Sequence, residues 1–248
     1  MKLINIYPLA DAILEFDQDM HMFLTHLVEK YPQYAQIAKQ SQGYKILDNS
    51  LIELGGAASV KRVVEAAEMI GADEIVLPDV FQDGPGTLND VESALITIDH
   101  IYQGKWPFKL MAVAQGKNFT EWLECYQKLM ENDKIDVIGI PKVCAKMLPG
   151  GRPEVVEKAK CALTMKDHHL LGLWYSASEL LEYKHPDMIR SCDTVLASFL
   201  AKHQLDPLGV RPDGFTVDLE KDVIDPRKIC VYQEAIHTKI AQKKGVLS

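Results

Sequence analysis

Cysteine is sparse and dispersed. The five cysteines (Cys125, Cys144, Cys161, Cys192 and Cys230) include no CxxC pair and no Cys/His group at metal-ligand spacing. This argues against a disulfide framework and against a zinc site, and it makes a reducing cytoplasm the expected compartment. Long apolar runs are also missing. The opening MKLINIYPLADAILEF is broken by Asn, Asp and Glu, and no later run approaches the roughly 20 apolar residues that a spanning helix needs. Neither secretion nor membrane insertion is expected. Positive charge is short as well: 27 Lys and Arg stand against 35 Asp and Glu, a formal net charge of −8. A broad basic face that grips nucleic acid unaided is not expected, although Lys142, Lys146, Arg152 and Lys158 could form a local one. The chain has no low-complexity segment, no fixed-period repeat and no obvious linker, so one domain over residues 1–248 is the simplest organisation.

What is present is a rhythm. With 248 residues, 47% hydrophobic and 25% charged, there is room for one α/β barrel or two smaller domains. Short apolar runs recur as LINIY (3–7), YKILD (44–48), EIVLPD (74–79), KLMAVAQ (109–115), DVIGIP (136–141), HHLLGL (168–173) and CDTVLAS (192–198). Most read as strands buried on both faces. Between them lie helical patterns. SVKRVVEAAEMIGA sets Val60, Val63, Val64 and Ala67 on one face before the stop signal Gly71, and NFTEWLECYQKLMEN does the same with Phe119, Trp122, Leu123 and Leu129. Buried strands alternating with amphipathic helices predict a parallel sheet, and about seven or eight units in about 250 residues predict a TIM (β/α)8-type barrel. An open doubly wound sheet is the alternative. The helical stretch RKICVYQEAIHTKIAQKK, within about 225–245, is expected to close the barrel or to offer a surface to another chain.

In a parallel barrel the C-terminal strand ends share one mouth, and the active site is built there. Asp48 ends YKILD, Asp79 ends EIVLPD and Gln115 ends KLMAVAQ, while Gly139 and Gly172 leave space at the ends of their strands. Each aspartate alone is equally well read as a turn former or helix N-cap. Two carboxylates and a carboxamide delivered to one face point to a site.

In order along residues 44–200, LDNS (47–50), EIVLPDV, MAVAQG, VIGIP, HHLLGL and CDTVLAS resemble six segments of the tRNA-guanine transglycosylases. The nearest likeness is to the short phage relatives that place 7-deazaguanine bases in DNA. The resemblance implies Asp193 as nucleophile and Asp48 as acid/base group. It makes Asp79 and Gln115 readers of the base edge, with Gly139, Leu171 and Gly172 in contact with the base. It implies exchange of guanine in nucleic acid for a 7-deazaguanine such as preQ0, through a covalent Asp-glycosyl intermediate and without a cofactor. The chemistry suits that set, because one carboxylate can attack C1′ while a second acid/base group manages the proton of the departing base.

The chain departs from this family in three places. Only Cys230 and His237 lie where the tRNA enzymes carry a zinc subdomain, so no zinc is expected and DNA is favoured over tRNA as the polymer. Asn49, Ser50 and Leu51 replace a serine and glycines. Asp193 precedes the apolar run TVLA, so it ends a strand IRSCD or stands at a strand entrance. Two further readings of function remain: a non-catalytic barrel that binds 7-deazaguanine or supports a partner enzyme in a modification complex, and a nucleosidase acting on small substrates, which the acidic charge suits. A homo- or hetero-oligomer is compatible with each reading. PGGRPEVVEKA (149–159) is either a phosphate cradle of Gly150, Gly151 and Arg152 or a helix start at Pro153. His168 and His169 read as structural, Trp174 and Tyr175 as core or rim, and Asn118-Phe-Thr as only a formal glycosylation acceptor.

Overall fold

The structure, a computed structural model, describes residues 1–160, 166–173, 176–206 and 216–246. Eight strands form one sheet: β1 (Lys2–Asn5), β2 (Met20–Leu24), β3 (Tyr44–Asp48), β4 (Glu74–Val76), β5 (Lys109–Val113), β6 (Val137–Pro141), β7 (Asp167–Leu171) and β8 (Ile189–Thr194). Every registered pair is parallel, in the order β1-β8-β7-β6-β5-β4-β3-β2, and β1 and β2 adjoin across the seam of a nearly closed barrel. This is the α/β TIM-type barrel that the sequence predicts, and not an open doubly wound sheet.

The helices are α1 (Thr25–Lys30), α2 (Pro32–Gln40), α3 (Leu51–Leu54), α4 (Val60–Ile70), α5 (Gly84–Tyr102), α6 (Phe119–Glu131), α7 (Gly151–Lys158), α8 (Leu196–His203) and α9 (Pro226–Val246). They form because their sequences supply both a face and a stop. α4 buries Val63, Val64, Ala66, Ala67 and Ile70 and ends on Gly71, whose φ of +67° suits glycine. α6 starts where the Asn118 side chain accepts a hydrogen bond from the Glu121 N–H, and it buries Trp122, Cys125, Tyr126 and Leu129. Phe119 and Leu123, expected on that face, lie at its margin. α9 covers the expected C-terminal stretch. It packs against α8, with Ile229 and Ile236 fully buried, and Tyr7 beyond β1 donates to Gln233 at 3.0 Å.

Two strands differ from the sequence reading. β2, MHMFL, lies outside the predicted runs although all five of its residues are buried. The run CDTVLAS is split: the strand occupies Ile189–Thr194 and the helix α8 takes Leu196 onward. Asp193 is therefore the penultimate residue of a strand, not its entrance.

Candidate active site at the C-terminal mouth

Because the strands are parallel, every residue predicted for the site falls at one end of the barrel. Asp48 ends β3, Leu171 ends β7, Asp193 is next to last in β8, and Gly139 is the central residue of β6, level with Val113 at the end of β5. Asp79, Gln115 and Gly172 sit just beyond the ends of β4, β5 and β7. Trp174, Tyr175 and Cys161 lie outside the described residues.

The first half of the site is a carboxamide–carboxylate knot. Asp79, 3% exposed, accepts from Asn49 Nδ2 through Oδ1 at 2.7 Å and from Gln115 Nε2 through Oδ2 at 2.6 Å. Asn49 Nδ2 also donates to the Leu77 carbonyl at 2.7 Å, and Gln115 Oε1 accepts from the Gln82 N–H at 3.1 Å. Burial pushes the Asp79 carboxyl up to about 6 against the pull of its two amide donors. The base-edge readers predicted from sequence are thus brought together, but they are bonded to one another. Asn49, noted in the sequence only as a departure, is the third member. Beside Asp79 opens a cavity of about 500 Å³, lined by Leu51, Gly56, Ser59, Pro78, Phe81 and Asp90 among others, and by no Lys or Arg among the described residues. This cavity lies between the segment leading into α4 and the middle of α5, and it shares only Asp79 with the predicted set.

The second half is the pair Asp48 and Asp193. Burial pushes Asp48 well above the usual carboxylate range; the Glu53 charge adds to this, the Ser50 N–H opposes it, and the charges of Asp193 and Asp79 raise it further. Ser50 donates from its backbone to Asp48 Oδ2 at 2.7 Å. It can do so because Ser50 is left-handed, at φ +59°, a conformation costly for a non-glycine residue and pinned here by His26 Nδ1 at 2.9 Å from Ser50 Oγ. Asp193 is held differently. Its Oδ1 accepts from the Gly172 N–H at 2.9 Å and lies 3.1 Å from His169 Nε2. No described residue bonds to Oδ2. Around this pair Glu53 on α3, exposed at its edge, and Lys142 complete the mouth: partial loss of hydration and the Asp193 charge raise the Glu53 carboxyl, and Lys142 lowers it.

No protein-family model and no curated protein matches this chain. The reading of the site therefore rests on its geometry.

That geometry corrects several expectations. Gly139 does not leave open space, because a Cβ there would meet Leu171 Cδ1 at 2.9 Å and Val113 Cγ2 at 3.0 Å. Leu171 fills the gap that the glycine makes. Gly172 has φ +67°, and its N–H serves Asp193 rather than an open pocket. The phosphate cradle at 150–152 is absent: the Gly150 N–H is taken by Glu154 Oε2 at 2.7 Å, and Arg152 is fully buried. Arg152 instead bonds the carbonyls of Ile140 and Leu171 at 3.1 Å, Gly172 at 2.6 Å and the Glu179 carboxylate at 2.7 Å. The helix there starts at Gly151, with Pro153 its third residue. Arg152 is thus lost to the local basic cluster, in which Lys158 is paired with Glu154 at 2.8 Å. Among the described residues no group of three or more His, Cys, Asp or Glu is arranged to hold a metal ion, and no helix is long and apolar enough to cross a membrane.

His169, read from sequence as structural, touches the predicted nucleophile and is the main site residue the sequence reading missed. Its signal was positional: it lies two residues before Leu171 on the same face of β7, at the level of Ser191 on β8.

Proposed function

We propose that this barrel is a glycosyl-transfer enzyme that exchanges guanine in nucleic acid, DNA before tRNA, for a 7-deazaguanine base. The observation that carries this reading is the unequal treatment of two carboxylates at one mouth. Asp48, half-buried and set among negative charges, is pushed toward its protonated form, while Asp193 is anchored through one oxygen and offers the other. A carboxyl pushed toward its protonated form can serve as acid, while a carboxylate with a free oxygen can serve as nucleophile.

The steps balance without a cofactor. Asp193 Oδ2 attacks C1′ of the guanosine as the C1′–N9 bond breaks, and its electron pair leaves with the base. The Asp48 carboxyl supplies the proton, so neutral guanine departs and Asp48 becomes the carboxylate. In the second half the incoming 7-deazaguanine gives its ring N–H proton to Asp48 and attacks C1′, and the ester to Asp193 breaks. Asp79 is the acceptor suited to the N–H groups of a guanine-type edge, which displaces Asn49 or Gln115 from it as the base enters. Adenine lacks the adjacent N1–H and N2–H donors of guanine, so it does not replace the amide donor that it would displace from Asp79. The cavity beside Asp79 has no basic lining among the described residues, so it offers a phosphate no counter-charge. A duplex substrate has to flip its nucleotide to reach the mouth.

A second reading, a nucleosidase on small substrates, is favoured by one observation: the net charge of −8 together with the burial of Arg152 leaves little basic surface for a polymer. Purified protein given labelled guanine or preQ0 with DNA, tRNA and free guanosine in parallel separates the two. Incorporation into DNA is the expected result. Release of base from free guanosine without incorporation into either polymer contradicts the transglycosylase and establishes the nucleosidase.

A further inference from the structure

Below Asp193 the barrel interior carries a continuous chain of polar side chains that the exchange steps above do not use. His169 Nε2 lies 3.1 Å from Asp193 Oδ1, and His169 Nδ1 lies 2.8 Å from Ser191 Oγ. Arg190 Nε donates to Ser191 Oγ at 3.3 Å, and its two terminal nitrogens donate to Glu74 at 2.7 and 2.9 Å. Tyr44 Oη donates to the same Glu74 at 2.7 Å. His169, Ser191 and Glu74 are all fully buried. The chain exists because β8 is bulged: His168 pairs with Ile189 and His169 with Ser191, so Arg190 is skipped. A skipped residue lets two consecutive side chains, Arg190 and Ser191, reach the interior together.

One order of the protons satisfies every contact in this chain with a neutral imidazole and an ionised Asp193. Arg190 Nε can only donate, so Ser191 Oγ accepts from it, and its own hydroxyl proton is free to turn toward His169 Nδ1. The ring proton of His169 then sits on Nε2 and is donated to Asp193 Oδ1. The Gly172 N–H lands on that same oxygen. Both donors converge on Oδ1, and Oδ2 has no partner among the described residues.

We infer that His169 is a positioning residue: fixed by Ser191 and by the Arg190–Glu74 pair on the barrel floor, it clamps Oδ1 of Asp193 and presents Oδ2 to the sugar carbon. The inference rests on the reading of Asp193 as nucleophile. It explains why the floor keeps a buried ion pair, which is seldom a net gain in stability by itself. A carboxylate free to rotate would lose the alignment that makes attack at C1′ effectively unimolecular.

Two measurements on the full chain test it. The first is 15N NMR of histidine-labelled protein, with the His169 signals assigned by their loss in His169→Gln. The expected pattern is an unprotonated Nδ1 and a protonated Nε2, with Ser191→Ala moving the Nδ1 signal and Asp193→Asn moving the Nε2 signal. A protonated Nδ1 in the wild type, or signals indifferent to both substitutions, overturns the chain. The second is the kcat–KM split in base exchange. His169→Leu removes the clamp and is expected to lower kcat about 100-fold, the loss that a misplacement of about 1 Å causes, with KM within about twofold. His169→Gln, which keeps a donor within reach of Oδ1, is expected to recover most of the lost kcat. A KM that rises as far as kcat falls, or the absence of rescue by Gln, overturns the positioning role. No exchange by the wild type, with the NMR pattern intact, contradicts the nucleophile reading instead and takes the positioning role with it.

Discussion

Asp79 is a residue whose burial and bonding pull in opposite directions. Two amide donors favour the ionised carboxylate, yet burial wins and raises its pKa to about 6. The sign of the consequence follows. An aspartate raised in the folded state binds its proton more tightly there than in the unfolded chain, so its contribution to stability is full below about pH 4 and is lost as pH climbs to about 6. A shift of about two units corresponds to about 3 kcal/mol. His168, lowered to about 4 by burial, acts in the other direction over pH 6.5 to 4, so the wild-type profile alone does not isolate Asp79. The comparison with Asp79→Asn does. Urea unfolding at pH 4 and pH 7 is expected to show the variant gaining about 2–3 kcal/mol on the wild type between the two; parallel behaviour contradicts the assignment. At this scale the sequence was readable for Asp48, Asp79, Gln115 and Asp193, because polar residues at strand ends stand out against apolar runs. It did not show the roles of Asn49, His169 and Ser191, which depend on which neighbour the register supplies.

At the scale of elements, the difficult segment was CDTVLAS. A helix buried on all sides has no polar face and so no 3.6-residue period, and α8 buries every residue from Leu196 to Ala201. Its start therefore reads as a continuation of β8. The break comes from Thr194, whose Oγ1 accepts the Leu196 N–H at 2.9 Å. β2 escaped notice because His21 interrupts its apolar run, although His21 is buried against Glu15 at 3.1 Å. The turn after β7 depends on an element far along the sequence from the residue it serves: Arg152 on α7 ties down the carbonyls of Leu171 and Gly172, and Gly172 then donates to Asp193. Arg152→Met strands the Glu179 carboxylate and releases that turn. Breaking a buried pair from one side costs about 3–5 kcal/mol, so chemical denaturation is expected to show a loss of that size. A loss under about 1 kcal/mol would mean that the turn holds itself.

At the scale of the whole molecule, one parallel barrel accounts for why residues spread from Asp48 to Asp193 meet at one end. The same architecture keeps charge inside: Glu74 and Arg190 meet in the barrel interior at 2.7 Å. The formal charge of −8 means that any polymer is held by local contacts at the mouth and not by a broad field. The central claim is that Asp193 becomes bonded to the sugar. It is tested most directly by incubating the enzyme with guanine-containing DNA in the absence of free base, denaturing, and separating by gel, beside Asp193→Asn and Asp79→Asn. The wild type is expected to give a DNA-linked band that Asp193→Asn abolishes while it still binds base, and Asp79→Asn to weaken base binding by roughly 1–3 kcal/mol first. No band from the wild type, together with exchange at the wild-type rate by Asp193→Asn, would contradict the covalent mechanism.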